Sequence, residues 1–333
     1  MNQTSRRKMR TRRRYGQTPA RPRAGFTLIE IMVVVSVIVI LLAMVLVGYI
    51  GALEMAKSAR TRGQIAKLNA IVMGEYEAFQ TRRVPLVIGM SRTQDRTAAA
   101  ARRVAARREL MRMELPDRKS DVLDAPVTGI AVTAKAQRFR NLAAAGWTRE
   151  LEGAEALYMI VRLGDQTSGE SMLDFFRESE IGDVDNDGMN EFLDGWGRPI
   201  RFFRWAPGFS DISIKQYKSP NNPDPFDPLG ACSDHDGNGV PESFALYPLI
   251  YSSGPDGDPG LEPDAGGSTF EIKYVNTPTW SNNPFVSWNS SGAATRLPDC
   301  SVAMSGDVIV GRPPSGTSGH VDNIHSHLIG VQE

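Results

Sequence analysis

The chain has 333 residues, of which 41% are hydrophobic, and it carries 38 acidic and 38 basic side chains. This length exceeds that of one small domain and allows a membrane anchor beside a sizeable core. The apolar content excludes an intrinsically disordered chain, because such chains bury too little apolar surface to fold.

The charge is strongly segregated along the chain. Residues 1–25 contain nine basic side chains and no acidic one. Residues 60–150 have a net charge of +9, whereas residues 151–333 have a net charge of −17. A basic tail, a basic middle and an acidic end predict three different environments.

An apolar run from Ile31 to Val47 follows the basic tail and contains no charged side chain. With its flanks it exceeds the roughly 20 residues that a membrane-spanning helix needs. The preceding cations predict a cytoplasmic N-terminus and an extracytoplasmic head. A secretory signal is disfavoured, because the run is long, no good small-residue cleavage site follows it, and Glu30 lies near its start.

Glu30 needs a positively charged partner, because an unpaired carboxylate in a membrane helix is costly. No Lys or Arg lies at the same depth. A cut between Gly25 and Phe26 would create an α-amino group on Phe26 and make Glu30 the fifth residue of the mature chain. We therefore expect Glu30 to pair with the Phe26 amine of a neighbouring subunit.

The stretch RAGFTLIE, residues 23–30, resembles the class III signal of type IV pilins and type II secretion pseudopilins. In that family a membrane-embedded prepilin peptidase cuts after the glycine and methylates the new N-terminal residue. The resemblance implies a prepilin-like subunit of the inner membrane, assembled into a type II secretion pseudopilus or a related type IV filament. The partners it implies are the prepilin peptidase, other pilin or pseudopilin subunits, the assembly platform with its ATPase, and membrane lipid.

Two alternatives belong to other classes of protein. A plain signal anchor could carry an extracytoplasmic calcium-binding protein or a hydrolase. The sequence contains no HExxH, GxSxG or GxxxxGK[ST] motif, so we predict no catalytic residues. We also expect no nucleic-acid partner. On the favoured interpretation, the chain is a substrate of processing and is not an enzyme.

The predicted fold is α+β, with a long pilin-type helix packed on a C-terminal antiparallel sheet. An apolar stripe at helical spacing extends this helix beyond the membrane; its members are Ile65, Leu68, Val72, Tyr76 and Phe79. The predicted segments are a cleaved leader at 1–25, a helix at 26–82 that is transmembrane to about 50, a mainly helical basic insert at 83–180, and an acidic β-rich head at 181–333.

Short segments of the insert and head carry further predictions. Residues 92–119 predict one or two Ala/Arg-rich helices, for which a solvated surface is favoured over contact with a neighbour's acidic head, and DNA contact is least favoured. Alternating apolar residues between turn signals predict the strands, which are 199–205, 211–217, 242–252 and 269–275.

The segment DVDNDGMNEFLD has the spacing of a calcium-binding loop. Oxygen ligands on alternate residues converge on one cation where a glycine, here Gly188, turns the chain sharply. The predicted ligands are Asp183, Asp185, Asp187, Met189 through its carbonyl, Glu191 and Asp194. A merely solvated acidic turn is the alternative. A second loop, DHDGNGVPE, repeats the pattern with Asp234, Asp236, Asn238 and Glu242.

Three head segments resemble the major pseudopilin of type II secretion: DGWGRPIRFF at 194–203, SSGPDGDPG at 252–260 and DNI at 322–324. That family binds calcium through such a loop and turn, so the resemblance implies Asp256 and Asp322 as ligands. Residues 85–180 have no counterpart in a compact pseudopilin. Cys232 and Cys300 predict either a disulfide in an exported head or two buried thiols, and their spacing does not suit zinc.

Overall fold

The computed structural model describes residues 25–84, 96–126, 130–164, 171–206, 209, 222–230, 244–258, 260–261, 286–288, 294–296 and 323–328. The described residues fall into two compact units, one ending at Ala52 and one starting at Leu53. The helices are α1 (Leu28–Ala78), α2 (Arg96–Glu114), α3 (Lys119–Leu123), α4 (Ala134–Leu142) and α5 (Glu152–Arg162). The strands are β1 (Ile181–Gly182), β2 (Glu191–Phe192), β3 (Arg201–Phe203), β4 (Leu249–Ser252), β5 (Val286–Trp288), β6 (Ala294–Arg296) and β7 (Ile324–His325).

The predicted α+β class is confirmed, with one long N-terminal helix and antiparallel pairing of the strands. Helix α1 has 51 residues and starts two residues after the predicted position. Its end is marked by tightened three-residue turns, in which the amides of Phe79 and Gln80 bond to the carbonyls of Tyr76 and Glu77.

The first half of α1 exposes its apolar side chains on every side. From Leu28 to Ile50 every residue is exposed, and by length and composition the helix could cross a membrane. Burying such a surface is strongly favourable, at about 25 cal/mol for each Å² removed from water. This segment therefore requires an apolar environment from lipid or from other chains.

The second half of α1 forms part of the core of the second unit. The predicted stripe is confirmed: Ile65, Leu68, Val72 and Phe79 are completely buried, and Tyr76 nearly so. The Tyr76 hydroxyl donates a hydrogen bond to the carbonyl of Leu246. The Tyr76 ring packs edge-on against the Phe226 ring, with 5.0 Å between the ring centroids. The helix thus packs on residues that follow it by more than 140 positions.

The C-terminal half of α2 is buried, so our interpretation of α2 as a solvated basic helix is wrong there. The guanidinium of Arg108 pairs with Asp224, and that of Arg112 pairs with Glu109 and Asp121. These arginines bind acidic side chains of their own chain. A buried charge demands such a partner. The acidic end of the chain supplies the partner of Arg108, whereas both partners of Arg112 lie in the basic middle.

A third buried arginine, Arg204, connects the helical segment to the sheet. Arg204, directly after β3, donates to the Asp121 carboxylate at 2.8 Å and to the Leu115 carbonyl at 2.7 Å. Its own amide donates to Asp117 at 2.7 Å. Burial alone would raise the pKa of Asp121, but Arg204 and Arg112 outweigh it and lower that pKa.

The central sheet has the strand order β3–β4–β7, and both pairings are antiparallel. Phe202 lies opposite Ile250, and Tyr251 opposite His325. The predicted strands at 199–205 and 242–252 correspond to β3 and β4, whereas 211–217 and 269–275 lie outside the described residues. Helix α5 packs against β2 and β3, where Gly153 allows close approach, because a Cβ there would lie 2.6 Å from the Phe202 carbonyl oxygen.

Candidate functional site: the N-terminal segment and an acidic centre

The residues before α1 leave the predicted cleavage point open to solvent. Gly25, Phe26 and Thr27 are non-helical and exposed, with Phe26 at 78% exposure. Among the described residues, apart from its chain neighbours, no atom lies within 4 Å of where a Cβ on Gly25 would stand. The Gly25–Phe26 peptide bond is therefore sterically accessible.

Thr27 and Glu30 form a reciprocal cap at the start of α1. The Glu30 amide donates to the Thr27 hydroxyl at 3.2 Å, and the Thr27 amide donates to the Glu30 carboxylate at 3.4 Å. This pairing is a capping box, which satisfies two backbone amides that a helix start leaves unbonded. The negative charge also interacts favourably with the helix dipole. Sequence reasoning missed the role of Thr27, although the pattern Thr-x-x-Glu signals it.

The comparison with protein families adds one finding. The family model described as the prokaryotic N-terminal methylation motif matches residues 20–46. The N-terminus is prepilin-type. The matched segment covers Gly25, Phe26 and Glu30 and continues into the apolar half of α1. No curated protein and no solved structure matches the chain significantly.

The prepilin-type N-terminus has consequences for processing and location. The motif implies cleavage by a prepilin peptidase and assembly with other pilin-like subunits. It indicates a prepilin-like, type IV pilin-type subunit. The apolar half of α1 is consistent with anchoring of such a subunit in a membrane. The matched residues end before the head, which has its own candidate site.

The loop between β1 and β2 presents a group of aspartates. The two strands pair Ile181 with Phe192 and Gly182 with Glu191, which closes a loop from residue 183 to residue 190. Asn186 and Gly188 have φ of 60° and 94°, so the chain turns sharply where the calcium-loop pattern places its glycine. The Asp183 carboxylate accepts the amides of Asp187 at 3.2 Å and Gly188 at 3.1 Å, which holds this turn.

Helix α5 adds a glutamate that sequence reasoning did not place with this loop. Ligand oxygens of Glu155, Asp185 and Glu191 lie within 4.8 Å of one another, as do those of Asp183, Asp185 and Asp187. Asp185 belongs to both groups, and we call these five residues the acidic centre. The signal in the sequence was a glutamate inside the otherwise apolar stretch AEALYMIV, residues 154–161.

Neighbouring donors fix the carboxylates of the acidic centre. The Trp147 indole donates to the Glu155 carboxylate, and the Thr148 hydroxyl donates to Asp185 at 3.0 Å. The Val184 amide donates to Glu191 at 3.0 Å. These bonds leave one oxygen each of Glu155, Asp185 and Glu191 buried without a hydrogen-bond partner.

Burial makes two of these carboxyl groups hard to ionise. Burial, together with the negative charge of Asp187, raises the pKa of Glu155 to about 9, although the hydrogen bond from Trp147 opposes the shift. Burial and repulsion from Asp185 together raise the pKa of Glu191 to about 7. A cation beside these groups would remove the same electrostatic penalty as a proton does.

Other predicted ligands lie elsewhere. The Asp194 carboxylate accepts the amides of Trp196 at 2.8 Å and Arg198 at 2.9 Å and the Ser252 hydroxyl at 2.6 Å, so it stabilises a turn after β2 and belongs to neither acidic group. The Met189 side chain is buried in the core, and the role predicted for its carbonyl stays a prediction. Asp256 accepts the amide of Asp258 at 2.9 Å within its own turn. The remaining predicted residues lie outside the described ones, namely Asp234, Asp236, Asn238, Glu242, Asp322, Cys232 and Cys300.

Proposed function

We propose that this protein is a structural subunit that is cut after Gly25, methylated on Phe26, and assembled into a type II secretion pseudopilus or a related type IV filament. The observation that carries the proposal is the methylation motif at residues 20–46, which lies directly before an exposed apolar helix. On this proposal the protein is the substrate of a peptidase and methylase and catalyses no reaction itself.

The charge pattern supports a single orientation in the membrane. All nine basic residues of the first 25 precede the apolar helix. Cations on that side favour retention of the N-terminus in the cytoplasm, with the head across the inner membrane. Assembly then requires a membrane platform and an ATPase on the cytoplasmic side, because the subunit must be extracted from lipid.

The apolar half of α1 has the surface that a filament core requires. Its side chains are exposed all round, so they fit lipid before assembly and neighbouring helices afterwards. Contacts between unlike surfaces of successive subunits generate an open helix when the rotation does not close. In such a core the new Phe26 amine and Glu30 neutralise each other between neighbouring subunits.

N-terminal sequencing and intact mass of the protein extracted from native membranes test the processing step. We expect an N-methylated Phe26. Gly25→Val should leave the chain uncut, because a branched side chain crowds the scissile bond. Gly48→Val is the matched control: Gly48 lies inside α1 with open space around it, and this variant should be processed normally.

A different N-terminus would overturn the proposal. Retention of Met1 in the native protein would indicate a plain signal anchor on an extracytoplasmic protein. A start beyond Gly48 would indicate an ordinary secretory signal. Processing of Gly25→Val at the same rate as Gly48→Val would remove Gly25 as the recognised residue.

A further inference from the structure

We infer that Glu155, Asp185 and Glu191, together with Asp183 and Asp187, form a calcium site that joins helix α5 to the β1–β2 loop. This inference does not depend on the proposed filament role. It differs from the loop that the sequence predicts, because Glu155 enters the ligand set and Asp194 leaves it. The inference rests on the burial of these carboxylates and on the hydrogen bonds and ion pairs that they lack.

The first observation is that three members of the acidic centre each have a buried carboxylate oxygen without a hydrogen-bond partner. Glu155 and Glu191 are both 0% exposed, and one oxygen of each has no hydrogen bond. One oxygen of Asp185 is likewise buried and unbonded. Burying an ionised carboxylate without a partner costs several kcal/mol, so such groups are rarely left without a counter-charge.

The second observation is the contrast with the other buried acids of the same unit. Asp121 pairs with Arg112 and Arg204, Glu114 pairs with Arg82, and Asp224 pairs with Arg108. Within the described part of the chain, no lysine or arginine forms an ion pair with a member of the acidic centre. The fold supplies a cation to these three acids but not to the acidic centre.

The chemistry of the donors selects the ion. The acidic centre offers carboxylate oxygens alone, which favours hard cations over zinc or copper. Calcium accepts six to eight oxygens in irregular geometry, whereas magnesium needs a near-ideal octahedron and retains its waters. Five carboxylates on a turning loop and a helix fit calcium better. The ion would neutralise charges that otherwise repel α5 from the loop.

Trp147 provides a direct probe of this site. Its indole is bonded to Glu155, and indoles transfer excitation energy to a bound terbium ion at close range. We would titrate the full chain in detergent with Tb³⁺, excite the tryptophans and compete with Ca²⁺. We expect sensitised emission that Ca²⁺ displaces and that Trp147→Phe abolishes, while Trp147→Phe still binds ⁴⁵Ca²⁺.

Two glutamate variants localise the ion. Glu155→Gln should weaken Tb³⁺ and Ca²⁺ binding by about tenfold to a hundredfold, at least the loss that follows removal of an outer partner of a metal ligand. Glu152→Gln is the matched control, since Glu152 is also buried on α5, one turn earlier, but accepts the Lys119 amide at 2.9 Å and is not in the acidic centre. It should bind both ions like the wild type.

The outcomes are decisive in either direction. Equal titrations of wild type and Glu155→Gln, or no sensitised emission from the wild type, would overturn the site. If circular dichroism shows that Glu155→Gln fails to fold, Asp185→Asn replaces it, because Asp185 is only half-buried in the loop. An unchanged affinity in that variant would overturn the site equally.

Discussion

At the scale of single residues, Glu30 has two possible partners at different stages. In the single chain it caps α1 together with Thr27. In the proposed filament it would neutralise the Phe26 amine of a neighbour. Both roles use the same carboxylate, but only the second requires its negative charge, because a neutral amide can also complete a capping box.

The two roles of Glu30 are separated by a pair of substitutions. Glu30→Gln keeps the cap and loses the charge, whereas Glu30→Leu loses both. We expect both variants to be processed after Gly25 and neither to assemble, as measured by N-terminal sequencing and by filament yield in sheared fractions. Normal filaments from Glu30→Gln would show that the cap, not the intermolecular pair, is what assembly needs.

Glu152 gives a prediction for pH dependence. Burial raises its pKa from 4.5 to about 7, although Arg118 opposes the shift. The folded state therefore holds the proton more tightly than the unfolded state. The contribution of Glu152 to the free energy of unfolding is largest below pH 4.5 and is lost as pH rises through 7. The change is on the order of 3 kcal/mol.

Glu152→Gln should remove that part of the pH dependence. The measurement is urea unfolding of the full chain in detergent between pH 4 and pH 8, followed by tryptophan fluorescence. The wild type should lose stability relative to the variant as pH rises. Parallel curves for the two proteins would mean that Glu152 is ionised throughout this range.

At the scale of elements, the turn after β2 attaches the sheet to α1. The Gly195 amide donates to the Thr61 hydroxyl at 2.9 Å, and the Trp196 indole donates to Glu54 at 2.7 Å. The Gln64 side chain donates to the Leu193 carbonyl at 3.0 Å. The segment DGWGRP, which resembles a pseudopilin strand entry, thus lies directly on the long helix.

Gly195 is the closest point of this contact. A Cβ on Gly195 would lie 2.5 Å from the Lys57 carbonyl oxygen, so Gly195→Ala should lower the free energy of unfolding by about 1–3 kcal/mol. Gly63→Ala is the control on α1 itself, where the added Cβ would meet no other part of the described chain within 4 Å. The higher helix propensity of alanine should raise the free energy of unfolding by as much as about 1 kcal/mol. Equal melting temperatures for the two variants would contradict the contact.

At the scale of the whole molecule, the segregated charges meet inside one unit. The basic middle and the acidic end together leave a net charge of −8 over residues 60–333. Arg108 pairs with Asp224, and both Arg112 and Arg204 pair with Asp121, so these arginines neutralise buried acids. The acidic centre lies outside these pairs. A bound calcium ion would reduce the remaining repulsion.

Chelation should therefore destabilise the folded unit. At a Ca²⁺ concentration about one hundred times the Kd, binding raises the free energy of unfolding by about 2.7 kcal/mol. This increase corresponds to a melting temperature higher by about 5–10 °C. EDTA should remove this increment from the wild type and from Glu152→Gln, whereas in Glu155→Gln the increment that EDTA removes should be only about 0.4–1.4 kcal/mol. An identical melt of the wild type with and without EDTA would contradict the proposed metal.

Sequence reasoning succeeded where the signal is local. The spacing of Ile65, Leu68 and Val72 predicted the buried face of α1, because helix period alone determines which side chains share a face. It failed where a partner lies far along the chain. Arg108 pairs with Asp224, which lies 116 residues later in the chain. Glu155 lies beside aspartates that follow it by some 30 residues. No periodicity encodes these distances.

The long reach of the α1 contacts affects the order in which the molecule can mature. If the N-terminus stays behind while the chain is exported, residues 53–78 reach the far side first, yet their partners Leu193, Trp196 and Leu246 arrive much later. Until then the α1 stripe lacks these partners, and Arg108 of α2 lacks Asp224. On this orientation, folding would be delayed until the chain has crossed to about Leu246, and during this interval the protein would be most exposed to proteases and chaperones.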